Sequence, residues 1–171
     1  MLNGWKMGNN VLGVDLALRE FTLEDAGRVR ELVDDPSVSR WTSNIPYPYT
    51  RQNAIDWISS TASDPDKHPF AVIAGPELVA CVSYWTDGDD IEVGYWVGRD
   101  YWGQGVGTRA LKLMLDRPEF PSNRRVIARV KVGNDRSMGV LEKCGFEFSD
   151  DCLCPQGDAM VDAKLFVRAT T

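Results

Sequence analysis

Across residues 14–19 apolar side chains alternate with others (Val14, Leu16, Leu18), the period-two pattern of a strand with one buried face. Thr22 and Asp25 then stand where a capping box places its partners, and Ala26, Val29, Leu32 and Val33 recur at helical spacing until Pro36. Thr50 is placed to cap a second helix carrying Ala54, Trp57 and Ile58 on one face. Between these helices, residues 41–49 hold Pro46 and Pro48 and show neither period, so this aromatic segment reads as a loop. Residues 70–74 and 78–85 are rich in β-branched and aromatic side chains, and Gly75-Pro76 between them predicts a hairpin. Turn residues over 87–90 lead into a third strand at 91–97, which extends the hairpin to a meander.

A glycine-rich turn follows over 103–107, and Val106, Ala110, Leu113 and Met114 mark the inner stripe of the next helix. Val126, Ala128, Val130 and Val132 alternate on a further strand. Asn134 opens another helix, Gly145 ends it, and residues 146–148 and 163–167 predict two closing strands. The succession predicts an α+β fold, with a mixed, mostly antiparallel central sheet of about seven strands flanked by about four helices. If the strands on either side of the glycine-turn helix are sheet neighbours, the helical crossover makes them parallel.

Length and composition agree with one globular domain: of 171 residues 43% are hydrophobic and 26% charged. Residues 14–171 are expected to form it, with 1–13 as a loose leader. With 19 basic against 25 acidic residues the net charge is -6, which argues against a nucleic-acid partner and suits an amine-bearing one. No run approaches the roughly 20 apolar residues of a membrane helix. Residues 1–13 also lack the apolar core of a secretion signal, so no membrane partner is expected and the cytoplasm is the default. Cys81, Cys144, Cys152 and Cys154 form no CxxC pair; reduced thiols and no metal site are expected. His68, beside Pro69, reads as a surface residue.

The string Tyr101-Trp102-Gly103-Gln104-Gly105-Val106-Gly107-Thr108 joins a strand to a helix, where the first backbone N–H groups have no helical acceptor. Glycines there let the backbone approach a diphosphate, and the helix dipole favours the anion. No GK[ST] follows, so this is not a P-loop, and the preceding meander argues against a dinucleotide-binding unit. Taken alone, the string also suits any tight strand-to-helix turn.

Trp102-Gly103-Gln104-Gly105-Val106-Gly107 resembles the pyrophosphate-binding pattern of the GNAT superfamily of N-acetyltransferases, with Trp102 in place of the usual Arg or Gln. Asn134-Asp135-Arg136-Ser137, running on to Leu141-Glu142-Lys143-Cys144-Gly145-Phe146, is similar to a helix of the branch that resembles the ribosomal-protein N-terminal acetyltransferases (RimJ/RimL-like). The resemblance covers roughly 14–168 and is strongest over 92–146. It implies a GNAT-like acyl-CoA N-acyltransferase fold with acetyl-CoA as co-substrate. In that family the pantetheine arm bonds along a strand splayed from its parallel neighbour, a role that falls here on Trp96 and Val97. The diphosphate is expected on the backbone of Gly103, Gly105, Val106, Gly107 and Thr108, with Trp102, Gln104, Asn134 and Ser137 as further cofactor contacts.

Direct attack on a thioester needs a neutral amine, and an alkyl amine of pKa about 10.4 is protonated at neutral pH. Glu92 is the expected base, acting through a water; the competing reading is a solvated strand carboxylate. Many relatives protonate the departing thiolate with a tyrosine where this chain has Leu141, which leaves Ser137 as the expected acid, or simply a residue of the helix's first turn. Trp41, Tyr47 and Tyr49, with Trp57, either line the acceptor pocket or pack the core. A small-molecule or peptide amine is the expected acceptor. A protein or peptide N-terminus is favoured by the resemblance, and an aminoglycoside or polyamine is permitted by the charge. A non-catalytic acyl-CoA-binding module and a homodimer whose partner completes the pocket stay open as alternatives.

Overall fold

The computed structural model describes residues 10–169. Seven strands form one sheet: β1 (Leu16–Glu20), β2 (Lys67–Ala74), β3 (Glu77–Asp87), β4 (Asp90–Val97), β5 (Val126–Lys131), β6 (Phe146–Gln156) and β7 (Ala159–Arg168). Five helices accompany it: α1 (Ala26–Val33), α2 (Pro36–Ser39), α3 (Arg51–Ala62), α4 (Val106–Leu115) and α5 (Asp135–Lys143). The sheet order is β1-β2-β3-β4-β5-β7-β6, and only the β4–β5 pair is parallel. That is the crossover expected around the glycine-turn helix.

Local chemistry explains most boundaries. Thr22 N–H donates to Asp25 Oδ2 at 2.9 Å, and Thr50 Oγ1 accepts from Asn53 N–H at 3.1 Å, so both expected caps are made. Pro36 ends α1 but also opens α2, because proline suits a first helical position and Asp35 accepts from Ser37 N–H at 2.8 Å. The closing strands run well past 146–148 and 163–167. Residues 147–151 are exposed throughout, so they carry no inward and outward alternation from which a strand would be read.

The N-terminal boundary also moves. Val11 belongs to the hydrophobic core, so the loose leader expected over 1–13 does not reach that far; residues 1–9 lie outside those described. Arg109 on α4 donates to the carbonyls of Val14 (2.7 Å) and Val11 (3.2 Å), which ties this segment to the helix behind the glycine turn.

What positions the site is the way β4 leaves β5. Their pairing holds only at Ile91↔Val126 and Glu92↔Ile127, although both strands continue. Ile91 N–H donates to Arg125 O (2.9 Å) and Gly98 N–H to Val79 O (3.0 Å), so the backbone of alternate residues faces opposite neighbours. By that alternation Val93, Tyr95 and Val97 turn their N–H and C=O groups to the open side, whereas Trp96 turns its own to β3.

Candidate functional site

The opened edge of β4 forms one wall of a cleft of about 1540 Å³. At one end lies the glycine turn. Gly103 (φ 73°) and Gly105 (φ 71°) have left-handed backbone that other residues rarely adopt, and no atom lies within 4 Å of where a Cβ would stand on either. Gly105 caps α4, and the first bond into the helix runs from Arg109 N–H to Gly105 O at 3.0 Å. The N–H groups of Val106, Gly107 and Thr108 therefore face the cleft without helical acceptors. The space, the donors and the dipole fit a diphosphate.

Trp102 lines the cleft and donates from Nε1 to Val97 O at 2.8 Å, which closes the open edge of β4 at its end. Gln104 departs from expectation: its side chain is turned away from the cleft, accepting from Val11 N–H at 2.6 Å and donating to Asp100 O at 3.2 Å. Its contribution there is confined to backbone.

Strand periodicity places Glu92, Gly94 and Trp96 on one face of β4 and Val93, Tyr95 and Val97 on the other. Glu92 is 8% exposed, which removes the reading of a solvated carboxylate. Arg129 on β5 donates from Nη1 to Glu92 Oε2 (2.5 Å) and to Asp87 Oδ2 (2.9 Å). Burial pushes the Glu92 carboxyl above the usual range, and the Arg129 guanidinium opposes that rise. On the other face, Ser137 in the first turn of α5 gives its N–H to Asn134 Oδ1 at 3.3 Å, so Asn134 is a helix cap. Ser137 Oγ lies 2.7 Å from Tyr95 Oη, and Ser137 O accepts from the same phenol at 3.0 Å. Burial raises the phenol's pKa, so Tyr95 keeps its proton. Leu141 is fully buried and offers the cleft no polar group.

An open strand edge, a glycine cradle at a helix N-terminus, a buried carboxylate and a paired serine thus share one cleft. The sequence pattern of the acetyltransferase (GNAT) domain matches residues 15–147. The chain belongs to the GNAT acetyltransferase family. It is 26% identical over 140 residues to the uncharacterized N-acetyltransferase p20 of Bacillus licheniformis, covering 77% of this chain and 79% of that one. Among solved structures it resembles Mycobacterium smegmatis RimJ in complex with CoA-disulfide, with TM-score 0.76, 22% identity, and 89% and 80% of the two chains covered. It also resembles AAC(6')-Ib in complex with ribostamycin and coenzyme A, with TM-score 0.73, 17% identity, and 91% and 93% covered.

As a GNAT enzyme the protein is an acetyl-CoA-dependent acyltransferase. Of the aromatic residues expected at an acceptor pocket, Trp41, Tyr49 and Trp57 line the cleft. Tyr49 is 5% exposed, with its phenol pushed up to about 12 by burial, and its N–H donates to Asp34 Oδ1 at 2.8 Å. Tyr47, expected beside them, is 58% exposed and outside the cleft wall, because Pro46-Tyr47-Pro48 run over the surface while Asp34 draws Tyr49 inward. His68 is half-buried rather than a surface residue, stacked on Tyr84 at 4.4 Å. Lys131, at the end of β5, is 6% exposed and donates from Nζ to Thr42 O (2.7 Å) and Arg40 O (3.0 Å), so it anchors the aromatic loop. No group of three or more possible metal-ligating side chains occurs among the described residues, and no helix among them is long and apolar enough to cross a membrane.

Two residues escaped the sequence reading. Tyr95 was hidden inside an aromatic strand; only the parity of β4 relative to Glu92 tells that it faces α5. Lys131 was hidden by its charge, which suggests a surface, although its place on a strand of buried residues (Val126, Ile127, Ala128, Val130) carries the signal.

Proposed function

We propose that this GNAT acetyltransferase moves the acetyl group of acetyl-CoA to a primary amine at a peptide or protein N-terminus. The amine attacks the thioester carbonyl carbon directly. Glu92 takes the amine's proton through a water, the C–S bond breaks, and the Ser137 hydroxyl passes a proton to the departing thiolate and is reprotonated from water, while Glu92 returns its proton to water, so that one proton moves net from nitrogen to sulfur. Backbone groups of Val93 and Tyr95 and the N–H of Val97 bind the pantetheine arm, and the turn from Gly103 to Thr108 binds the diphosphate.

The observation that carries the acceptor class is the state of the acidic groups at the acceptor end of the cleft. Asp87 and Glu92 share Arg129, which leaves Asp56, bonded only to the neutral Gln52 amide at 2.8 Å, as a single carboxylate without a cationic partner there. A polycation needs several uncompensated carboxylates, and the aromatic walls of Trp41, Tyr49 and Trp57 suit one amine on a largely uncharged body instead. An N-terminal amine, with a pKa of about 7.7–8.0, also asks less of a carboxylate base than a lysine-like amine does. The resemblance to the ribosomal-protein branch points the same way.

Thiol release from acetyl-CoA should be measured against peptides with free N-termini, an aminoglycoside and spermidine, after titration of acetyl-CoA into the same preparation. Release with peptides alone supports the assignment. Release with the polycations alone replaces the acceptor class, and binding without release with any amine would make the protein an acyl-CoA-binding module.

A further inference from the structure

Six cationic side chains reach the cleft wall: Arg40, Lys67, Arg129, Lys131, Arg136 and Lys143. Most are taken. Arg129 serves Asp87 and Glu92, Lys67 pairs with Asp64 at 3.2 Å, Lys131 holds two carbonyls, and Arg40 lies over Trp41 at 4.3 Å in the acceptor half. Arg136 and Lys143 make no ion pair among the described residues, and Lys143 stands in the last turn of α5, at the other end of that helix from the Asn134 cap. The Arg136 guanidinium sits over the Trp102 ring, 4.1 Å from the centroid, and that indole is itself fixed by its bond to Val97 O.

The placement is electrostatically odd for the protein alone. Arg136 stands in the first turn of α5, two residues after the Asn134 cap, where the helix dipole disfavours a cation. The neighbouring Asp135 is exposed and is the residue that suits such a turn. Trp102 directly precedes Gly103, so the stack holds the guanidinium beside the cradle. One face lies on the indole, and the N–H edges remain available to oxygens in their plane. In a chain of net charge -6, a local cation is what makes this end of the cleft attractive to an anion.

We propose that Arg136, positioned by Trp102, is a charged ligand of the acetyl-CoA diphosphate, so that α5 supplies the polar side chain that the glycine pattern lacks at Trp102. The inference rests on acetyl-CoA binding at the cradle. It is tested with R136A, R136K and W102A, each checked for an unchanged melting temperature or used with its folded fraction measured. The ligands are acetyl-CoA, acetyl-dephospho-CoA, which lacks the 3′-phosphate, and S-acetyl-pantetheine, which lacks every phosphate.

R136A is expected to weaken acetyl-CoA and acetyl-dephospho-CoA alike by about tenfold, the scale of one charge-assisted hydrogen bond. S-acetyl-pantetheine should be used equally well by both proteins, R136K should recover part of the loss, and W102A with R136A should cost less than the sum of the two. Unchanged affinity of R136A for acetyl-CoA overturns the proposal and leaves the acetyltransferase reading intact. A penalty that disappears with acetyl-dephospho-CoA overturns the diphosphate assignment in favour of the 3′-phosphate. A penalty that persists with S-acetyl-pantetheine overturns it in favour of a general packing role. A wild-type protein that binds none of the three removes the acetyl-CoA reading and this proposal together.

Discussion

The Tyr95 phenol bridges β4 and α5, with its oxygen 2.7 Å from Ser137 Oγ and 3.0 Å from Ser137 O. A carbonyl only accepts, so while the phenol donates to it the serine proton points back at Tyr95. When the phenol turns to Oγ, the serine proton is released toward the cleft. Tyr95 therefore sets which way Ser137 donates. Tyr95→Phe should lower kcat about tenfold with little change in the KM for acetyl-CoA, on the scale of one hydrogen bond between neutral groups. Steady-state kinetics of Y95F, S137A and the double variant check this; equal losses in all three mean that the pair acts as a unit, and additive losses would separate them.

Glu92 carries a pH signature. Its carboxyl is raised by burial, and as the proposed base it works ionised, so activity is expected above the raised pKa and should fall as pH drops through it. The acid limb of kcat/KM is expected above the ordinary glutamate value of about 4.3. Glu92→Gln should abolish that limb and reduce kcat by about a hundredfold. Arg129→Met removes the opposing charge and should move the limb to still higher pH.

Lys131 tests the assignment of the aromatic loop to the acceptor. Lys131→Met leaves the carbonyls of Arg40 and Thr42 without their donor, which costs about 1–3 kcal/mol if they stay buried, and frees the loop that carries Trp41. The KM for the amine should rise severalfold while acetyl-CoA affinity stays within twofold. Equal effects on both substrates would contradict the assignment of this loop to the acceptor.

Asp25 gives a stability test away from the cleft. Arg19 Nη1 and Nη2 donate to its two oxygens at 2.8 and 2.9 Å, which holds the carboxyl below its usual range. A carboxylate with a lowered folded pKa stabilises above its unfolded pKa of about 3.9, and that increment is lost as pH falls through the folded value. Asp25→Asn should therefore destabilise by about 1 kcal/mol at neutral pH, a figure kept small because the Arg19 side chain is 45% exposed. The difference from wild type should shrink on acidification in denaturant titrations.

Wherever a segment has one wet and one dry face, its period was readable, which is why the elements from Leu16 to Lys143 follow from pattern except α2, whose four residues are too few to show a period and make five helices where about four were expected. Where that contrast is missing, the reading fails. Ser149, Asp150 and Asp151 are exposed edge-strand residues with no dry face, so the length of β6 was invisible. The insertion of β7 between β5 and β6 depends on pairing between distant segments that no local period encodes. In the site, the glycine cradle was legible because backbone space is written in residue type. Side-chain direction in irregular backbone was not: Gln104 turns out and Tyr47 lies on the surface, whereas Tyr49 turns in.

The clasp of Val11 and Val14 on Arg109 and Gln104 gives the chain's first described turn a mechanical hold on α4. Load applied upstream, by a fusion partner, a tag or a pulling tether, is delivered to the glycine turn and the first turn of α4 before it reaches any strand.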